Sequence, residues 1–278
     1  MESKAYEYMD WPRIEAVVYG EEASPKDVMA PRLTTDGVLI QGFFPEADKA
    51  EVLVGSRKYE MEQEDEAGYF AAMIPGRKIP DYKYRVTKGE ETKEFADPYA
   101  FSGQITEAEE KAFCAGVYYH AYEKLGAHPM EINGVKGTSF AVWAPNAMRV
   151  SVVGDFNAWD GRCHAMHRMP MSGIFELFIP GVKAGDIYKY ELKLKGNRIE
   201  LKSDPYAACT EVPPANASVV ADTSVFQWED ETWMKERKKF SDRKQPISIY
   251  ETSLTEWKDA AELADFVKKL NYTHVELH

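Results

Sequence analysis

Cysteine is scarce in this 278-residue sequence, with three in all. Cys114, Cys163 and Cys209 stand far apart and form no Cys-x-x-C motif, so a paired disulfide framework is not expected and a reducing compartment fits. Cys163-His164 with His167 suggests a metal, but no second ligand pair stands at finger spacing, so neither metal nor cofactor is expected. Positive charge is also short. With 34 Lys and Arg against 46 Asp and Glu, the net charge is −12, which argues against a nucleic-acid or anionic-membrane surface. The densest basic run, Lys235 to Lys239, lies beside the acidic WEDETWMKE and reads as a solvated linker or helix face. No apolar run is long enough to span a bilayer, and the polar, aromatic N-terminus MESKAYEYMDW does not read as a signal peptide. The expectation is a soluble, cytoplasmic chain whose partners are neutral.

What is present is a repeat. GVLIQGFFPEADKAEVLVG (37–55) aligns with GTSFAVWAPNAMRVSVVGD (137–155), GYFAAMIPG with GIFELFIPG, DYKYRV with IYKYEL, and DPYA at 97–100 with DPYA at 204–207. Four matches in one order, about a hundred residues apart, make two copies of one module. Each copy has short apolar or alternating runs broken by Gly, Pro and Asp, the pattern of an antiparallel sandwich. In IYKYEL the period of two places Lys189 on the face opposite Tyr188 and Tyr190. Helical signals lie in the connections. Asp10, Pro12 and Gly20 bound a leader helix, and Thr106 with Glu109 forms a capping box before another.

After about residue 233 the character changes. PISIYETSL and YTHVEL read as strands flanking a helix with apolar residues at Leu263, Phe266, Val267 and Leu270. That is one βαβ unit. The fold expected is mainly β: a leader and first sandwich (1–103), a helical linker (104–136), a second sandwich (137–222), a linker (223–245), and the start of an incomplete (β/α)8 barrel (246–278). An isolated βαβ unit leaves strand faces and edges uncovered, so a partner protein covering them is a further expectation.

One stretch stands apart: GDFNAWDGRCHAMHRM (154–169) puts a large aromatic in a polar loop. Trp159 either caps a core or presents a flat face to something flat. Asp155 and Asp160 read as turn formers. Trp143, in the alternating strand FAVWAPNA, is expected in the core, and Tyr118, Tyr119 and Tyr122 as packing around the linker helix.

The run YEKLGAHPMEINGVKGTSFAVWAPNAMRVSVVGDFNAWDGRCHAMHRM, followed by SGIFELFIPG, YKYEL and KSDPYA, resembles the N-terminal part of bacterial glycogen branching enzymes of the α-amylase superfamily. The resemblance implies tandem immunoglobulin-like (E-set) sandwiches. The second would be a glycogen-binding module of carbohydrate-binding family 48, and the first a diverged copy, reading Met29-Ala30-Pro31-Arg32 where the family has Leu-Gly-Pro-His. It further implies α-1,4-glucan as partner and sugar contacts from Trp159, Asn157 and Lys189, with Asn216 a fainter match. The loop before the second DPYA, KGNRIELKSDP, lacks the second Trp of strong glycogen binders, so weak binding is expected. The first copy reads VGSRKYEMEQED at the place of the Trp loop and is expected to be a spacer. Glu251 to Trp257 departs from the family's Glu-Val-His-Leu-Gly-Ser-Trp. Retaining chemistry on α-glucans needs two carboxylates about 5 Å apart, and the family carries them on later barrel strands, so no catalytic residue and no branching activity are expected of this polypeptide alone. A stand-alone module docking onto a partner protein is the competing expectation.

Overall fold

The computed structural model describes residues 5–240 and 246–278; residues 241–245 of the expected second linker lie outside the described residues. The chain forms two compact units, one ending at Thr223 and the other starting at Ser224.

The first unit opens with helices α1 (Trp11–Val18) and α2 (Lys26–Met29). The first sandwich follows as β1 (Arg32–Leu33), β2 (Val38–Phe43), β3 (Lys49–Val54), β4 (Arg57–Glu60), β5 (Glu62–Asp65), β6 (Tyr69–Ile74), β7 (Lys83–Lys88) and β8 (Glu91–Phe95). Its two antiparallel sheets run β1-β2-β6-β5 and β4-β3-β7-β8. Between them lie Val38, Ile40, Ala50, Val52, Phe70, Ala72 and Tyr84. The VLIQGF strand is buried along its whole length because its other face is covered too. Leu39, Phe43 and Tyr69 join a core that also takes Ile14, Val17 and Val18 of α1 and residues of the second sandwich. Gln41, buried on that face, donates to the Val28 carbonyl at 2.7 Å and accepts from the Tyr69 hydroxyl at 3.1 Å.

Helix α3 (Glu107–Cys114) begins at the anticipated capping box, with both the Thr106 and the Glu109 bonds formed. The second sandwich comprises β9 (Gly126–Ile132), β10 (Val135–Trp143), β11 (Arg149–Gly154), β12 (His167–Arg168), β13 (Ile174–Pro180), β14 (Ile187–Leu194), β15 (Arg198–Lys202), β16 (Cys209–Thr210) and β17 (Ser218–Val219). One sheet runs β12-β13-β10-β9. The other runs β11-β14-β17-β16, with β15 also on β14. Phe140, Val142, Phe175, Val150, Val152, Tyr188 and Tyr190 fill the space between.

The repeated DPYA and Tyr-x-Tyr motifs meet in each copy. Asp97 accepts from the hydroxyls of Tyr82 (2.5 Å) and Tyr84 (3.0 Å) and from the Tyr99 amide (2.8 Å). Asp204 accepts from Tyr188 (2.6 Å), Tyr190 (3.2 Å) and the Tyr206 amide (2.8 Å). A buried carboxylate needs such donors. The motif that marks the repeat is therefore a lock that ties β7 or β14 to the chain leaving the sandwich.

The leader is tied to both copies. Beyond α1, the Ala23 carbonyl accepts from the Arg168 amide at 3.0 Å, and Glu21 pairs with Lys193 at 3.1 Å. The two sandwiches also touch directly, the Tyr99 hydroxyl donating to the Ala165 carbonyl at 3.0 Å.

The second unit contains α4 (Glu231–Phe240), β18 (Ile249–Thr252), α5 (Ala260–Lys269) and β19 (His274–Leu277). β18 and β19 pair in parallel, and Asp259 caps α5 by accepting from the Glu262 amide at 2.9 Å. Leu263 and Val267 are buried beneath it, whereas Ile249, Val275 and Leu277 are exposed.

Candidate functional site

The Trp loop springs from the end of β11, where backbone geometry leaves room for no side chain. A Cβ on Gly154 would lie 2.3 Å from the Ile187 carbonyl oxygen and 2.5 Å from the Phe156 ring. The chain then turns sharply, with Ala158 and Trp159 both left-handed at φ 53° and 61°. Two such non-glycine residues in succession are strained and need local compensation. Asn157 supplies much of it. Its Oδ1 accepts from the Gly154 amide at 3.0 Å, and its Nδ2 donates to the Val152 carbonyl and to His164 Nδ1, each at 2.9 Å. Asn157 is thus brought to the site as part of its frame. Its polar contacts lie at the end of β11 and within the loop, and a sugar contact would compete with them.

Those bonds also set the tautomer of His164. Since Asn157 Nδ2 is a donor, His164 Nδ1 accepts and the ring proton sits on Nε2. Burial pushes this imidazole down to about 4, so it is neutral at physiological pH. The neighbouring Cys163 thiol is pushed up to about 12, again mainly by burial; it is a protonated, unreactive thiol. Among the described residues no group of three His, Cys, Asp or Glu side chains is arranged to hold a metal.

Trp159 is 37% exposed. Its indole N–H is satisfied internally by Asp155 Oδ1 at 2.8 Å, which pins the ring and leaves apolar surface to solvent. Asp160 is engaged separately, by Arg162 at 2.7 Å. The root of the loop is held by Arg149, which is buried, pairs with Glu191 at 2.5 Å and donates to the Gly161 carbonyl at 2.5 Å.

Lys189 lies on β14 directly across from Val153, one residue before the loop begins. Tyr188 and Tyr190 point into the core and Lys189 points away, as the alternation requires. Its Nζ donates to Asn216 Oδ1 at 2.5 Å. Asn216 reaches this position because Ser218, two residues on, pairs with Tyr188. The structure therefore joins Lys189 and Asn216 at the edge of the sheet end from which the Trp159 loop departs. On the same face, by register with Glu191 and Lys193, stand Leu201 and Ile199 of β15, 51% and 55% exposed. Both lie in the stretch 195–205 before the second DPYA, which carries no aromatic. The first copy has no comparable loop: Val54 pairs with Arg57 across a two-residue turn, so β3 passes straight into β4.

Trp143 departs from the core position expected of it. It is 54% exposed, because alternation along β10 puts it on the face of Ala141 rather than that of Phe140 and Val142. There its ring meets Phe113 of α3 edge-on at 5.9 Å, and its N–H donates to the Ser172 carbonyl at 2.9 Å. Asp155, which reads from sequence as a turn former, and His164, which stands there in a metal-like Cys-His run, instead hold the Trp159 ring and the Asn157 amide. The i to i+4 spacing of Asp155 and Trp159 was the available signal for the first.

Comparison with known proteins gives two family matches, one over each sandwich. Residues 10–99 match the N-terminal domain of the alpha-1,4-glucan branching enzyme GlgB, and residues 124–207 match carbohydrate-binding module 48, the isoamylase N-terminal domain. The chain belongs to the N-terminal region of the GlgB branching-enzyme family. The 1,4-alpha-glucan branching enzyme GlgB of Cereibacter sphaeroides is 41% identical over 285 residues, covering 99% of this chain and 39% of that protein. That of Saccharophagus degradans is 38% identical over 282 residues, covering 95% and 39%. The chain thus spans 39% of the length of these curated relatives. Among solved structures, pullulanase type I from Bacillus subtilis str. 168 complexed with maltose is similar over 89% of this chain and 37% of that one, at 19% identity and a TM-score of 0.40. Trp159, Asn157 and Lys189 fall inside the module 48 span, and Asn216 lies beyond its end.

Proposed function

We propose that this chain holds α-1,4-glucan on its second sandwich, as the substrate-holding part of glycogen branching, and does not itself cleave or transfer glucan. The reading rests on one observation above the others: Trp159 is fixed with its N–H satisfied and its ring part-exposed, at the sheet end that carries the Lys189–Asn216 pair. A pyranose ring has an apolar face and a rim of hydroxyls. A pinned indole serves the first, and an ammonium and an amide serve the second. Membership in a module 48 family supports the same class of ligand. In this reading Asn157 and Asp155 act through Trp159, by holding the loop and the ring.

Binding through one ring is weak, about millimolar for a short oligosaccharide, because few contacts must offset the loss of translational and rotational freedom. Leu201 and Ile199 add aliphatic surface without a second stacking plane. Co-sedimentation with glycogen tests the proposal. Wild-type chain should pellet with glycogen and Trp159→Ala should not; equal pelleting of both removes Trp159 from the site.

The exposed Ile249, Val275 and Leu277 of the βαβ unit favour a second role for that unit, docking against further protein that covers its strands. The glucan site does not depend on it.

A further inference from the structure

A cavity of about 240 Å³ lies where the first sandwich meets the underside of the Trp159 loop. Its walls include Phe44, Tyr84 and Phe95 from the first copy and Phe156 from the second. Phe44 stands edge-on to Tyr84 at 4.9 Å and to Phe95 at 5.9 Å, so the pocket is a set aromatic box. At this size it suits a single-ring molecule rather than an oligosaccharide, since drug-sized sites start near 300 Å³.

The polar groups around it sort by what they have left to offer. Asp97, which lines it, is already accepting three hydrogen bonds from Tyr82, Tyr84 and Tyr99. Asn157 is fully engaged in the loop. His164 also lines the cavity, and its Nε2–H has no partner among the described residues while Nδ1 is held by Asn157. Lys88, Lys93 and Glu91 stand at the lining as well; among the described residues Lys88 pairs with the exposed Glu46 and Lys93 with Glu91, whose carboxylate is the one acid here held by an exchangeable ion pair. Such surface pairs contribute little and exchange readily. The capacity that remains is therefore donor capacity, so the matching ligand brings acceptor oxygens on a flat apolar body.

We propose that this inter-sandwich cavity binds a small aromatic carboxylate, with its ring in the aromatic box and its oxygens on Lys88, Lys93 and the His164 Nε2–H. Phe156, Asn157 and His164 belong to both the cavity and the Trp159 loop, so an occupied cavity bears directly on the frame of the ring. The proposal does not depend on glucan binding and is read without it.

Benzoate is the first probe, and benzyl alcohol, of the same shape without charge, is the control. Amide chemical shifts of the full chain are followed during each titration, in wild type and in Lys88→Glu/Lys93→Glu, whose substitutions sit on exposed strand positions. The expected result is saturable benzoate shifts at Phe44, Phe95, Phe156 and His164, with a Kd of about 1 mM. In the charge-reversed chain benzoate should bind roughly tenfold more weakly, equivalent to about 1.4 kcal/mol, while benzyl alcohol is unaffected. Shifts that never saturate, that scatter over the surface, or that are the same for benzoate in both chains overturn the proposal.

Discussion

Asp155 Oδ1 accepts the indole N–H of Trp159 at 2.8 Å across a turn in which Ala158 and Trp159 are both left-handed. The carboxylate turns a mobile aromatic into a fixed one, and fixed platforms lose less entropy on binding. Asp155→Ala should leave the fold intact and weaken binding of maltoheptaose about two- to tenfold, the range of one hydrogen bond. Near-UV circular dichroism should report a freer Trp159. An unchanged affinity would show that the ring is oriented by its packing alone.

Gly154 sets the start of the same turn. A methyl there would overlap the Ile187 carbonyl and the Phe156 ring, so Gly154→Ala forces the strand end or the ring to move. The expected destabilisation is about 1–3 kcal/mol, seen as a lower midpoint in urea, together with lost glucan binding. A midpoint equal to wild type would mean that the loop relaxes freely.

Much of this architecture is legible in the sequence because it is periodic or repeated. The strands show as alternation, the two copies as aligned motifs, and the capping box of α3 as Thr106 and Glu109 at their spacing. Alternation also placed Lys189 opposite its tyrosines. It could not say whether an outward face is covered, and so Trp143 was expected in the core when it lies outside it. Nor does local sequence reveal a side chain already engaged: Asn157 has the right type for a sugar contact, yet its amide holds Val152, Gly154 and His164. The Lys189–Asn216 pair, 27 residues apart, exists only because β14 and β17 are neighbours. The inter-sandwich cavity depends on how two modules meet, which neither copy encodes by itself.

Asp97 makes the lock of the first sandwich sensitive to pH. Burial raises its carboxyl from 3.8 to about 6, against the hydrogen bonds that hold it down. The folded state thus retains a proton that the unfolded chain releases. The resulting stabilisation is full below pH 3.8 and is lost as pH rises through about 6. The rise corresponds to roughly 3 kcal/mol. Between pH 4 and 7 the stability of wild type relative to Asp97→Asn should therefore fall with rising pH, measured by urea unfolding at each pH. Parallel profiles for the two proteins would place Asp97 near an ordinary carboxylate.

The βαβ unit should be the softer part of the chain. Ile249, Val275 and Leu277 are exposed, and only Leu263 and Val267 of α5 are buried. Gly137 to Val142 of β10 and Ile174 to Ile179 of β13 are buried without a break. Hydrogen exchange should therefore show β18 and β19 opening at least tenfold more often than β10 and β13, a difference of about 1.4 kcal/mol or more. Equal protection in a monomer would mean that other parts of the chain cover these strands.

Glucan binding through a single pinned indole is the central claim, and calorimetric titration of maltoheptaose into wild type and Trp159→Ala tests it most directly. The account predicts a saturable, roughly millimolar isotherm for wild type and a loss of at least tenfold in affinity for the variant. Identical isotherms, or no binding by wild type at concentrations well above that range, would contradict it.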